Sequence, residues 1–243
     1  MQLKKRTTTL LAKTAISHFW QVREAQAARQ EASGKIDQGS RGAATGGAQM
    51  DGFVDAFRKL AAMAGIPQEA VFTTSRFLEL PGYFRPTKEW DLLIVLDGVL
   101  LAVIEAKSQV GPSFGNNFNN RTEEAMGSAV DLWTAFREKA FKRAIRPWLG
   151  YLFLLEDCPQ SQRPVSVREP HFEVFPEYRD ASYAKRYEIF CSKLVIERHY
   201  DATALLMSKR ADGALGRYAE PCQDIGFHHF AVSLVSHLEG YAS

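Results

Sequence analysis

Long hydrophobic runs are missing from this 243-residue chain, so no stretch reads as a membrane-spanning helix. Cysteine is scarce. Cys158, Cys191 and Cys222 are odd in number and far apart, which gives neither a disulfide framework nor zinc-ligand spacing. They fit buried thiols in a cytoplasmic protein. A large charge excess is also lacking: 30 Lys and Arg against 28 Asp and Glu leave +2. That excludes a grossly basic coat protein but not a DNA enzyme with a local basic cleft. The basic start, Met1 to Arg6, is followed by Thr7–Thr9 and Lys13, which makes a poor secretory signal. There is no His-Glu-x-x-His, no Gly-Lys-Ser/Thr phosphate loop, no dinucleotide fingerprint and no internal repeat. His228 and His229 are adjacent, so on a helix they face different directions and make poor joint metal ligands. What is present suffices for one sizeable domain, since 46% of the residues are hydrophobic.

The stretch from Pro86 to Lys107 organises the chain. Apolar runs Trp90–Leu96 and Val99–Ile104 flank Asp97-Gly98, each short and rich in Val, Ile and Leu. They read as a β-hairpin buried on both faces. Charge enters only at its open end, as Asp91, Glu105 and Lys107. Charged groups beside so apolar a hairpin are costly unless paired, hydrated or metal-bound.

Register constrains how they meet. Glu105 and Lys107 share a strand face. A two-residue Asp-Gly turn pairs Leu96 with Val99 and puts Asp91 on the opposite face. A three-residue turn ending in a glycine bulge pairs Val95 with Val99 and brings Asp91 onto the face of Glu105 and Lys107. If the three side chains act together, the hairpin needs that bulged turn or an equivalent bulge elsewhere.

This pattern resembles the PD-(D/E)XK nuclease core, with Asp91 as the first acid and Glu105-Ala106-Lys107 as the second acid and lysine. Pro86 lies five residues before the aspartate, a looser spacing than the core's usual Pro-Asp pair. Gly47-Ala48-Gln49-Met50-Asp51-Gly52-Phe53 and the segment Gly115 to Gly127 further resemble the XhoI-type restriction endonucleases, and length and motif order fit over the whole chain. The resemblance implies a restriction-endonuclease-like α/β/α core with a mixed central sheet, in agreement with the intermixed strands and helices of the sequence. It also implies a homodimer that cuts double-stranded DNA at a palindrome, CTCGAG, and leaves 5′ overhangs. In that core Asp91, Glu105 and the Ala106 carbonyl would hold Mg²⁺, while Lys107 would orient or deprotonate the attacking water.

The flanking segments supply further candidates. Thr9 to about Ala32 reads as a helix. Ser33 to Ala48 is rich in glycine and carries Lys35 and Arg41; it fits a disordered linker, or a mobile loop that orders on DNA, and the resemblance favours the latter. Gln49 to Ala64 reads as a helix, with Gln49 a DNA-contact candidate and Asp51 an acid the core could bring near the metal. Val71 to Thr74 reads as a first strand. Tyr83-Phe84-Arg85-Pro86 could line a cleft or cap the core. Ser108 to Asn120 reads as irregular; its Asn116, Asn117, Asn119 and Asn120, with Arg121, suit base or phosphate contacts as well as ordinary turns. Thr122 is expected to cap a helix from Glu123 to about Arg143. Glu124 in its first turn suits the helix dipole or, by the resemblance, the site. Trp148–Leu155 and Ala202–Met207 read as strands, and Tyr183–Val195 and Phe227–Leu238 as helices.

The residues alone reach a metal-dependent, DNA-acting hydrolase. Three other readings fit them: a repair or recombination nuclease on the same core, a non-catalytic DNA-binding or regulatory protein, and an ordinary salt-bridged strand end.

Overall fold

A computed structural model describes residues 3–32, 47–141 and 145–242. Its centre is a five-stranded mixed sheet in the order β1-β4-β5-β6-β7. β1 (Val71–Phe72), β4 (Leu92–Leu96) and β5 (Val99–Gln109) run antiparallel in turn, while β6 (Trp148–Glu156) and β7 (Ala202–Ser208) continue parallel to β5. A separate two-stranded ribbon pairs β2 (Glu79–Pro81) with β3 (Thr87–Glu89).

The apolar runs of β5 and β6 are buried on both faces because helices cover each side. Helices α1 (Lys5–Ala32), α2 (Asp51–Met63) and α5 (Phe227–Glu239) pack on one face, through Phe19, Phe53, Phe57 and Phe230 against Leu92, Ile104, Leu152 and Leu206. Helices α3 (Phe114–Arg137) and α4 (Tyr183–Ile196) pack on the other, where Ala129, Leu132, Tyr187 and Phe190 meet Leu93, Val103, Phe153 and Leu205. This is the expected α/β/α core around a mixed sheet.

The hairpin does not use the bulged three-residue turn; it keeps the two-residue turn and carries an equivalent bulge elsewhere. Leu96 pairs with Val99 across a two-residue turn, with Asp97 at φ 49° and Gly98 at φ 74°. Two successive positive φ values are the type I′ turn that Asp-Gly favours. The bulge lies further in: Val95 pairs with Leu100 but Ile94 with Ala102. Leu101 and Ala102 consequently both join the core under α1, α2 and α5, and the alternation resumes out of phase. That single extra residue puts Asp91 level with Glu105.

Other boundaries moved. α1 begins at Lys5 rather than Thr9, and β1 ends at Phe72 rather than Thr74. Ser108 to Asn120 is not one irregular segment: β5 runs on to Gln109 and α3 starts at Phe114. Phe114 and Phe118, four residues apart, meet Tyr183 and Tyr187, the first stacked and the second edge to face, with ring centroids 5.8 and 5.0 Å apart. Their burial extends the apolar stripe of Ala125 and Ala129 toward the N-terminus and outweighs the weak helix propensity of asparagine. Thr122 is therefore no cap but an interior helical residue whose hydroxyl donates to the Phe118 carbonyl. Of the cysteines only Cys191 is buried; Cys158 and Cys222 are half-exposed. Most of the glycine-rich loop, residues 33–46, lies outside the described residues.

Candidate active site

Asp91 precedes β4, Glu105 and Lys107 lie on β5, and the inner bulge lets all three meet. Lys107 Nζ lies 2.6 Å from Glu105 Oε1 and 3.1 Å from Asp91 Oδ2. The Ala106 N–H also donates to Asp91 Oδ2, at 2.7 Å, and fixes the aspartate against the neighbouring strand. One ammonium is thus held by carboxylates from two adjacent strands.

A residue not singled out in the sequence completes the cluster. Lys88, on β3, places Nζ 2.7 Å from Glu105 Oε2 and 4.2 Å from the centre of the Trp90 ring, and it donates to the Glu89 carbonyl. Glu105 is 5% exposed, so its charge is balanced by two lysines rather than by water. The available signal was local: Lys88 sits inside the charged approach to the hairpin. Only the tertiary structure, in which its side chain crosses to Glu105 on β5, shows where it reaches.

Burial pushes the Asp91 carboxyl up from its ordinary value, the charge of Glu105 adds to this, and Lys107 offsets only part. Burial acts on Glu105 in the same direction, but Lys107 and then Lys88 outweigh it and hold that carboxyl below its ordinary value. Lys107 is held above its ordinary value, because attraction to Glu105 and Asp91 exceeds the penalty of burial. Neighbouring acids with opposite shifts are a frequent property of chemical sites.

Asp91 and Lys107 open onto a cleft of about 690 Å³ whose far wall is α2, with Asp51, Asp55 and Arg58. Asp51 therefore faces the same cleft; burial raises its carboxyl, His18 offsets this and Asp55 adds to it. Among the described residues no three His, Cys, Asp or Glu side chains have the geometry of a metal cage. Two carboxylates close enough to grip one cation nevertheless suit a hard dication that keeps several waters.

The other candidates are dispersed. Gln49 is buried, and its Oε1 accepts from Arg23. Asn116, Asn119 and Asn120 are exposed on one face of the first turns of α3, with Asn117 partly covered. Arg121 pairs with Glu124 one turn on, at the surface and away from the residues lining the cleft. Lys35 and Arg41 lie outside the described residues.

A mixed sheet covered by helices on both faces, with an aspartate set against Glu-x-Lys on the next strand, defines the restriction-endonuclease-like nucleases. The comparisons narrow this. The family model for restriction endonuclease XhoI matches residues 29–220, and the chain belongs to that family of type II restriction endonucleases. The type II restriction enzyme BstVI of Geobacillus stearothermophilus is 58% identical over 213 residues, which cover 86% of this chain and 94% of that protein. The type II restriction enzyme XhoI of Xanthomonas vasicola is 44% identical over 188 residues, 77% of this chain and 75% of its own. AbrI of Azospirillum brasilense, another type II restriction enzyme, is 48% identical over 161 residues, 66% of this chain and 72% of its own. No solved structure matches significantly. Among the described residues no helix is long and apolar enough to cross a membrane.

Proposed function

We propose that this restriction endonuclease cuts double-stranded DNA at CTCGAG, leaves 5′ overhangs, requires Mg²⁺ and acts as a cytoplasmic homodimer. The observation that carries the chemistry is the grip of Asp91 and Glu105 on a single cation at the edge of an open cleft. Asp91, Glu105 and the Ala106 carbonyl would hold the Mg²⁺, which when bound would supply charge neutralisation at the scissile phosphate and acidify water. Lys107 turns an ammonium toward the same space, positions the attacking water and offers a charge to the phosphate. Asp51 faces the cleft from α2 and could tune the local charge.

Base and phosphate contacts are assigned to polar side chains on α3 and on the glycine-rich loop. Asn116, Asn119 and Asn120 share an exposed helical face, and asparagine pairs bidentately with adenine in the major groove. Arg121 beside them suits guanine or phosphate. Lys35 and Arg41, on the glycine-rich loop, are assigned to the DNA backbone. A twofold dimer matches the symmetry of a palindrome and places one site on each strand. The CTCGAG site rests on the kinship with XhoI.

The test is digestion of phage DNA by purified protein in Mg²⁺ and in EDTA. Discrete, metal-dependent fragments whose ends map to CTCGAG with a 5′ stagger are expected. A smear would sink the site assignment, and intact DNA in every buffer would favour a binding protein on a nuclease scaffold.

A further inference from the structure

Glu105 carries two lysines, and they are not equivalent. Lys107 is 26% exposed, lines the cleft and is shared between both acids. Lys88 is 13% exposed and meets only the Oε2 side of Glu105. Its Nζ is fixed from three directions, by that carboxylate oxygen at 2.7 Å, the Glu89 carbonyl at 3.0 Å and the face of the buried Trp90 ring. The strand that delivers it is anchored as well. The β2–β3 tip is tied to α3 by Asp131, which receives the N–H groups of Tyr83 and Phe84 and the Arg85 guanidinium. A dication on the Oε2 side would have to break these Lys88 contacts together and then sit beside an ammonium.

We infer that Lys88 is a positioning residue that serves as a built-in counter-cation on Glu105, so that each site takes a single divalent ion. The inference rests on the reading of Glu105 as a metal ligand. Lys88 fixes the carboxylate plane through Oε2 and leaves Oε1 and Asp91 as the exchangeable side, where Lys107 can yield to the incoming ion. Removing Lys88 leaves Glu105 more negative and less well aimed. Affinity for a dication then rises while turnover falls.

Mn²⁺ binding is the measurement, by electron paramagnetic resonance and calorimetry, on the full chain with and without a CTCGAG duplex. Wild type should bind one ion per chain. Lys88→Met should bind Mn²⁺ about tenfold more tightly, and its kcat should fall about 10- to 100-fold with KM for DNA little changed. Lys88→Arg should restore the wild-type stoichiometry and most of the turnover. Two ions per wild-type chain, or a Lys88→Met variant with unaltered Mn²⁺ affinity and kcat, would overturn the inference. If Lys88→Met does not fold, the wild-type stoichiometry and the Lys88→Arg variant still decide. Failure of the underlying reading looks different: Glu105→Ala would then cut normally and bind Mn²⁺ like wild type.

Discussion

The β2–β3 ribbon is held at both ends by a buried carboxylate, and the two anchors use different donors. At the tip, Asp131 accepts from the Tyr83 and Phe84 N–H groups, both at 2.7 Å, and from Arg85 Nε at 2.8 Å. At the base, the side-chain oxygens of Glu105 meet two ammonium groups, at 2.7 and 2.6 Å. Burial would raise both carboxyls. Hydrogen bonds from the tip outweigh it at Asp131, and the lysine charges outweigh it at Glu105, so both lie below their ordinary values. The donors differ in what they permit. A backbone N–H is fixed by the chain and has no substitute, whereas the Lys107 ammonium, on a flexible stem at the cleft, can withdraw in favour of another cation. A buried carboxylate thus holds the chain at one end and, in the function proposed above, serves the chemistry at the other.

The largest expected effect separates the two ends most sharply. Glu105→Ala should lower cleavage by about 10³-fold or more while the protein still binds a CTCGAG duplex in Ca²⁺. A variant that cuts at nearly the wild-type rate removes Glu105 from the chemistry.

Asp131→Ala should do the reverse. It strands two backbone donors and the guanidinium of Arg85, at a cost of about 3 kcal/mol. Thermal unfolding should report a drop of roughly 6–12 °C, with kcat per folded molecule falling far less than in Glu105→Ala. Loss of cutting without loss of stability would erase the distinction between the anchors. Gly82 belongs to the same anchor, since a Cβ there would lie 2.3 Å from Asp131 Oδ2 and 2.7 Å from the Arg85 carbonyl oxygen. An alanine should therefore destabilise in the same sense.

Arg121–Glu124 provides a surface pair for contrast, with side chains 30% and 54% exposed. Such pairs add less than about 1 kcal/mol to stability. Arg121→Ala should leave melting unaltered yet weaken duplex binding by up to about tenfold and flatten its salt dependence. Binding equal to wild type at every salt concentration would reject a DNA role.

The smallest effect is a pH dependence. The Asp131 carboxyl titrates below its ordinary value of 3.8, so its stabilisation is complete above that value and is lost as the pH falls through the folded value. Wild type should lose stability more steeply than Asp131→Asn over this acid range in chemical unfolding curves. Parallel curves would show that the tip hydrogen bonds do not set the shift.

Much of this architecture was legible in the residues. The apolar runs around Asp97-Gly98 gave the hairpin, and charge confined to its open end gave Asp91, Glu105 and Lys107. Burial patterning gave β6, β7, α4 and α5 within a residue or two. The start of α3 is hidden by four asparagines that look like turn material, although Phe114, Phe118 and Ala125 carry helical spacing. Gln49 is a DNA-contact candidate by sequence, and the structure buries it against Arg23, a partner 26 residues away that periodicity cannot supply.

By itself the sequence determined the main strands and helices, apart from the β2–β3 ribbon and the start of α3, and which charged groups stand beside the buried hairpin, because hydrophobic period and turn chemistry are local. Tertiary structure decided the rest. It placed the bulge at Leu101–Ala102 rather than in the turn, which sets the face of every later side chain on β5. It also brought Lys88 to Glu105, seventeen residues on. Both depend on how separate strands pair, and that pairing is chosen by the packing of the whole core, not by the residues that end up in contact.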